Sequence, residues 1–97
     1  MRLATFNLLH GMALTDGASD PDRLKTAVHE VDADILALQE VDHAQPRSGG
    51  ADQTALAAAA TGARWHRFVP TVLGTPGVRG WTAATSDADP GGEHAAA

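Results

Sequence analysis

Leu36-Ala37-Leu38-Gln39-Glu40-Val41 is a short apolar run closed by a carboxylate. A run of this length bounded by polar residues reads as a buried strand, which puts Glu40 at its carboxyl end. Leu3-Ala4-Thr5-Phe6-Asn7 repeats the pattern with an amide in the closing position. Between them, Asp20-Pro21 marks a helix start: the carboxylate accepts free backbone N–H groups and Pro fits the first turn. Leu24, Ala27, Val28 and Val31 then recur at i, i+3, i+4 and i+7, one apolar helical stripe. Strands over residues 2–7 and 35–39 around that helix make a βαβ unit with parallel strands. If the two strands are neighbours, Asn7 and Glu40 emerge on one sheet edge, where open α/β sheets bind ligands. Oxygen donors gathered there suit a hard cation such as magnesium.

Outward from this unit, residues 8–19 carry Gly11 and Gly17 and read as a loop. Residues 41–50 form a polar loop, and a second helix is expected over 52–61 with Gly62 as its C-cap. Residues 64–73 read as a third strand carrying Trp65 and Phe68, in which Pro70 fits only an edge or a bulge. Beyond Gly74 the chain is rich in Gly, Pro, Asp and Ala, and residues 86–97 are expected to form a disordered or extended tail. The fold class is α/β (α+β), with one structured unit over 1–85.

With 97 residues, the chain has room for one domain and a modest core. Its 43% hydrophobic content leans on alanine, and its only aromatics are Phe6, Trp65, Phe68 and Trp81. A net charge of -5, one lysine and six scattered arginines argue against holding nucleic acid through an overall basic field. The absence of cysteine excludes disulfides, zinc thiolates and thiol nucleophiles. Met1-Arg2 leads directly into a strand pattern without the apolar stretch of a signal peptide, and no run approaches the roughly 20 apolar residues of a membrane span. A cytoplasmic location is the expectation.

Thr5-Phe6-Asn7-Leu8-Leu9-His10-Gly11 and Leu36-Ala37-Leu38-Gln39-Glu40-Val41-Asp42, separated by one helix, resemble the first two motifs of the endonuclease/exonuclease/phosphatase superfamily. Arg47-Ser48-Gly49, the Gln53-Thr54-Ala55-Leu56-Ala57 helix and Phe68-Val69-Pro70 extend the resemblance more loosely. It implies the start of a four-layered sandwich of two sheets with outer helices, in domains of roughly 250 residues. It also implies a magnesium- or manganese-dependent phosphoric ester hydrolase, a nuclease or phosphatase acting on phosphodiesters or phosphomonoesters. The family's later motifs are a Gly-Asn-Ala-Leu-Leu-Ser-Arg-like strand, an Asp-x-Asn with the catalytic Asp, and a Ser-Asp-His. None occurs here: Ser86-Asp87 is followed by Ala88, and Asp87-Ala88-Asp89 ends in Asp. The resemblance thus reaches only the amino-terminal portion, with the carboxyl-terminal part of the domain missing, and the chain alone is expected to be inactive.

By resemblance, Glu40 is the metal ligand and Asn7 the catalytic-site amide that lies beside the metal or scissile phosphate and helps orient the catalytic acid. His10 and Arg47 are candidate substrate contacts, the second because a guanidinium matches phosphate oxygens. Asp42 and His43 read as a free loop pair. Other chemistries lack their residues: the position where His29-Glu30 would need a second zinc-binding His holds Ala33, and no Gly-x-Ser-x-Gly elbow occurs. The competing reading is a non-catalytic α/β interaction module, or a half-domain completed by another chain. Three strands and two helices leave one sheet face uncovered, a surface that favours self-association. A generic nucleotide-binding domain ranks last, because no glycine fingerprint follows the first strand.

Overall fold

The computed structural model describes residues 1–13, 15–76, 80–88, 90–91 and 93–97. Leu14 of the expected loop, and Asp89 and Gly92 of the expected tail, lie outside the described residues. The chain opens with β1 (Leu3–Asn7), α1 (Pro21–Val31) and β2 (Ile35–Gln39). β1 and β2 pair in parallel with Leu3 opposite Ile35 and Asn7 opposite Gln39, as the βαβ pattern requires. Asp20 caps α1 by accepting the Asp22 N–H at 2.9 Å, and Pro21 occupies the first turn. Leu24 and Val28 of the predicted stripe are buried, and Ala27 and Val31 flank them half-buried.

After β2 the chain forms β3 (Asp42–His43), α2 (Gln53–Thr61), β4 (Val72–Leu73), β5 (Thr82–Ala83) and β6 (Ala95–Ala96). Asp52 caps α2 through the Ala55 N–H at 3.1 Å. Gly62 ends α2 at φ 71°, a left-handed conformation that a residue without Cβ adopts readily. The four short strands make a second sheet in the order β3-β6-β4-β5, all pairs antiparallel. Among the described residues, no helix is long and apolar enough to cross a membrane.

Helices α1 and α2 pack on one another, and Leu8, Leu24, Val28, Val41 and Ala57 form the buried cluster beneath them. Phe6, Leu36 and Leu38 press one face of the β1–β2 sheet against that cluster. Alternation along a strand sends the other residues to the opposite face. That face carries Leu3, 69% exposed, and Ile35, 56% exposed, together with Thr5, Asn7, Ala37 and Gln39. Overall extents of 40 × 32 × 18 Å describe a slab, its short axis holding one sheet and one helix layer of about 10–12 Å.

Three expectations change. The strands read as buried each keep one face exposed, because α1 and α2 cover only the other, and no residue of β1 or β2 is fully buried. Of the third strand expected over 64–73, only Val72–Leu73 is strand, while Trp65 stands 76% exposed. Residues 64–69 instead face β2 across a groove of about 770 Å³ lined by Leu36, Leu38, Ala57, Ala58, Trp65 and Phe68, among others. A strand exists only where its N–H and C=O groups find a neighbour. Composition suggested an extended segment here, but the segment does not reach the β2 edge. Conversely, the stretch expected as a disordered or extended tail contributes β6, whose two alanines are buried between β3 and β4. Val41 and Ala97 exchange backbone hydrogen bonds of 2.7 and 3.0 Å, which tie this end of the chain to the exit of β2.

The covered and the uncovered side of the β1–β2 sheet make opposite demands on substitution, Leu24 of α1 lying on the first and Leu3 on the second. Leu24→Ala should destabilise by about 2–5 kcal/mol through lost burial and a cavity, and Leu3→Ala by no more than about 0.5 kcal/mol. Urea unfolding followed by circular dichroism measures both, and equal losses would contradict this assignment of the core.

Candidate metal and phosphate site at the ends of β1 and β2

Register places Asn7 opposite Gln39, so Glu40 lies one step past its strand beside the end of β1. Asn7 Nδ2 donates to Glu40 Oε1 at 3.0 Å. The same amide's Oδ1 accepts the Leu9 N–H at 3.0 Å, a local side-chain turn of the kind Asn favours, and this bond fixes the amide's orientation. The His10 N–H donates to the Glu40 carbonyl at 2.7 Å, and the Leu8 N–H to the Gln39 carbonyl at 2.9 Å. Each exit loop therefore holds the other.

Backbone conformation marks the same edge. Leu9, His10, Glu40 and Ala44 have φ of 47°, 45°, 54° and 57°, all left-handed and none glycine. A residue with a Cβ is disfavoured there by roughly 1–2 kcal/mol. Such strain persists only where surrounding bonds over-determine it, and it gathers at functional sites. Here it turns both chains sharply out of the sheet and leaves the Asn7 and Glu40 side chains adjacent and exposed to solvent.

Behind Glu40, the chain buries a charge. Asp42 is 0% exposed and accepts Arg47 Nε at 2.9 Å, Arg47 Nη2 at 2.6 Å and Ser48 Oγ at 2.9 Å. The expected free loop pair is thus not free. Asp42 is the anchor of the 46–48 turn, and His43 stacks on Phe68 at 5.2 Å between ring centroids. The Arg47 side chain remains 37% exposed. Its hydrogen bonds to Asp42 hold the guanidinium more firmly protonated than usual, partial burial works against this, and the Asp42 and Glu40 charges add to it. The Arg47 Nε and Nη2 donors are both committed to Asp42.

Of the four residues singled out in the sequence, Asn7 and Glu40 are brought into direct contact. His10 joins them through its backbone, with its N–H on Glu40 and its carbonyl accepting Ser19 Oγ at 3.1 Å and Gln53 Nε2 at 2.9 Å. Sequence reasoning missed Asp42, Ser48 and Gln53, which hold the loops from beneath. Asp42 pairs with Arg47 and Ser48 five and six residues on, in a turn that the loop reading left open, whereas Gln53 reaches His10 across 43 positions.

The oxygen donors fit a hard cation of the magnesium type, which commonly takes one or two carboxylates and fills the rest of its sphere with water and phosphate. Glu40 Oε2 has no hydrogen-bond partner among the described residues, while Asn7 secures Oε1. Among the described residues, no group of three or more His, Asp or Glu side chains converges into a metal cage.

Removing Arg47 would strand Asp42 in the interior. Arg47→Ala should cost about 3 kcal/mol, the low end of the range for an orphaned buried charge, since Arg47 is itself partly solvated and Ser48 remains. Arg47→Lys should fall between, because one ammonium cannot reproduce the two-donor fork. Urea midpoints at neutral pH decide this, and a wild-type midpoint for Arg47→Ala would refute the pair as a structural tie.

No curated protein and no solved structure matches the chain. The profile described as Endonuclease/Exonuclease/phosphatase family matches residues 4–93 of the 97. That match spans the β1 and β2 exits and the loops that hold them, and the chain belongs to the endonuclease/exonuclease/phosphatase family.

Proposed function

We propose that this chain carries the amino-terminal part of a metal-dependent phosphoric ester hydrolase, with Glu40 as the ligand for Mg²⁺ or Mn²⁺ and Asn7 orienting it. The observation that carries this reading is the Asn7–Glu40 hydrogen bond of 3.0 Å at a left-handed Glu40. When bound, the metal would supply charge stabilisation to a phosphoryl group. Asn7 holds one Glu40 oxygen so that the other faces outward. Arg47, fixed by Asp42, presents its remaining guanidinium edge to an approaching phosphate, and His10 borders the same loops. The net charge of -5 and the lack of a basic stripe favour small phosphoesters or lipid head groups over long nucleic acid. The domain would continue into the four-layered sandwich of the family, which supplies the catalytic Asp and His. The reading that the chain alone is inactive rests on the absence of those two motifs from its sequence.

Manganese titration followed by paramagnetic broadening of backbone NMR signals tests the site. Signals of Asn7, His10 and Glu40 should broaden first, and Glu40→Gln should remove the effect. In the same preparation, bis(p-nitrophenyl) phosphate should show no Glu40-dependent hydrolysis. Turnover that disappears in Glu40→Gln would overturn the proposal that the chain alone is inactive.

The exposed Leu3 and Ile35 on the uncovered sheet face favour a second reading, a half-domain completed across that face by another chain. Sedimentation should then show association that Ile35→Lys reverses. A monomer that melts cooperatively would support an independent module instead.

A further inference from the structure

We propose that Gln53 is the positioning residue of this site: one amide, fixed at the start of α2, clamps the exit loops of β1 and β2 and sets the geometry of Glu40. The inference rests on the reading of Glu40 as the metal ligand. Gln53 is 2% exposed. Its Oε1 accepts the Asp42 N–H at 2.9 Å, and its Nε2 donates to the His10 carbonyl at 2.9 Å. The Asp42 N–H lies two residues past Glu40, and the His10 N–H is the group that holds the Glu40 carbonyl. Gln53 thus closes a ring that runs through the Glu40 backbone from both sides.

Chemistry selects this residue. The clamp needs a donor and an acceptor on one neutral side chain, reaching two backbone groups of opposite polarity. An amide supplies both without bringing a charge into the interior. A carboxylate would set an acceptor against the His10 carbonyl, and an aliphatic chain would leave the Asp42 N–H unpaired at a cost of about 1–3 kcal/mol and the His10 carbonyl with Ser19 Oγ alone.

Gly11 adds an independent observation. A Cβ on this residue would come within 2.8 Å of Gln53 Nε2 and 3.0 Å of Ser19 Oγ, and its φ is 75°. The β1 exit loop is therefore built around the amide with no space for a side chain between them. The helix behind is a firm anchor, because Asp52 caps it and the Ala44 N–H bonds the Ala51 carbonyl at 3.1 Å just before it.

Backbone NMR on the full chain tests the clamp with two variants. Gln53→Leu removes both bonds, whereas Gln53→Glu keeps the acceptor for Asp42 and loses the donor to His10. Coupling constants and carbon shifts of Glu40 and His10 report whether each stays left-handed, and signals of α1 and α2 verify the fold. Gln53→Leu should release both residues and weaken manganese binding about 10–100-fold, as loss of a group that orients a metal ligand does. Gln53→Glu should disturb His10 more than Asp42, a graded response that a merely space-filling residue would not give. If Gln53→Leu fails to fold, Gln53→Glu carries the comparison. Left-handed Glu40 and unchanged manganese broadening in a folded variant would overturn the proposal. A wild-type chain with no Glu40-dependent broadening would overturn the metal reading, while the Glu40 conformation would still support or refute the clamp.

Discussion

Parallel pairing of β1 with β2 is the constraint on which the rest depends. Two parallel strands cannot be joined by a tight turn, so the chain must cross over, and α1 is that crossover. Once it has crossed, both strands end on the same edge. The two polar residues that close the apolar runs, separated by 33 positions in sequence, then come within hydrogen-bond distance. The crossover also defines the core, because α1 and α2 cover only one face of the pair.

The site edge is held less by apolar contact than by buried polar groups. Asp42, Gln45, Ser48 and Gln53 are all buried, and each is hydrogen-bonded to a neighbouring loop or strand. Gln45 donates to the Gly74 and Ala95 carbonyls at 2.8 and 3.0 Å, and so ties the approach to α2 to the second sheet. Gln53 performs the corresponding task for the two exit loops. Directional bonds specify geometry where an alanine-rich core cannot, since small side chains pack without selecting one arrangement. Left-handed backbone at Leu9, His10, Glu40 and Ala44 is the conformational cost that this network offsets.

Local signals were legible wherever a residue acts on its own neighbourhood. Asp20-Pro21, Asp52 and Gly62 predicted the helix ends because capping involves groups within one turn. The apolar runs predicted β1 and β2 as strands but also as buried ones, whereas each has one face covered and the other exposed. The segment 64–73 was misread for the opposite reason: Trp65 and Phe68 have strand propensity, but propensity does not provide a ladder partner. The short strand at Ala95–Ala96 was illegible because its sequence carries no period, and only burial between β3 and β4 makes it a strand.

From the sequence alone came the βαβ opening, the pairing of an amide with a carboxylate at the strand ends, and the family to which the chain belongs. Those follow from periodicity and from motif order, which are properties of neighbours along the chain. Tertiary structure decided how the carboxylate is held. It turned Glu40 left-handed, gave one of its oxygens to Asn7, buried Asp42 beneath Arg47, and brought Gln53 up between the two loops. The bonds of Asn7 and Gln53 span 11 to 43 residues and depend on where the backbone finally lies, and no spacing in the sequence encodes that distance.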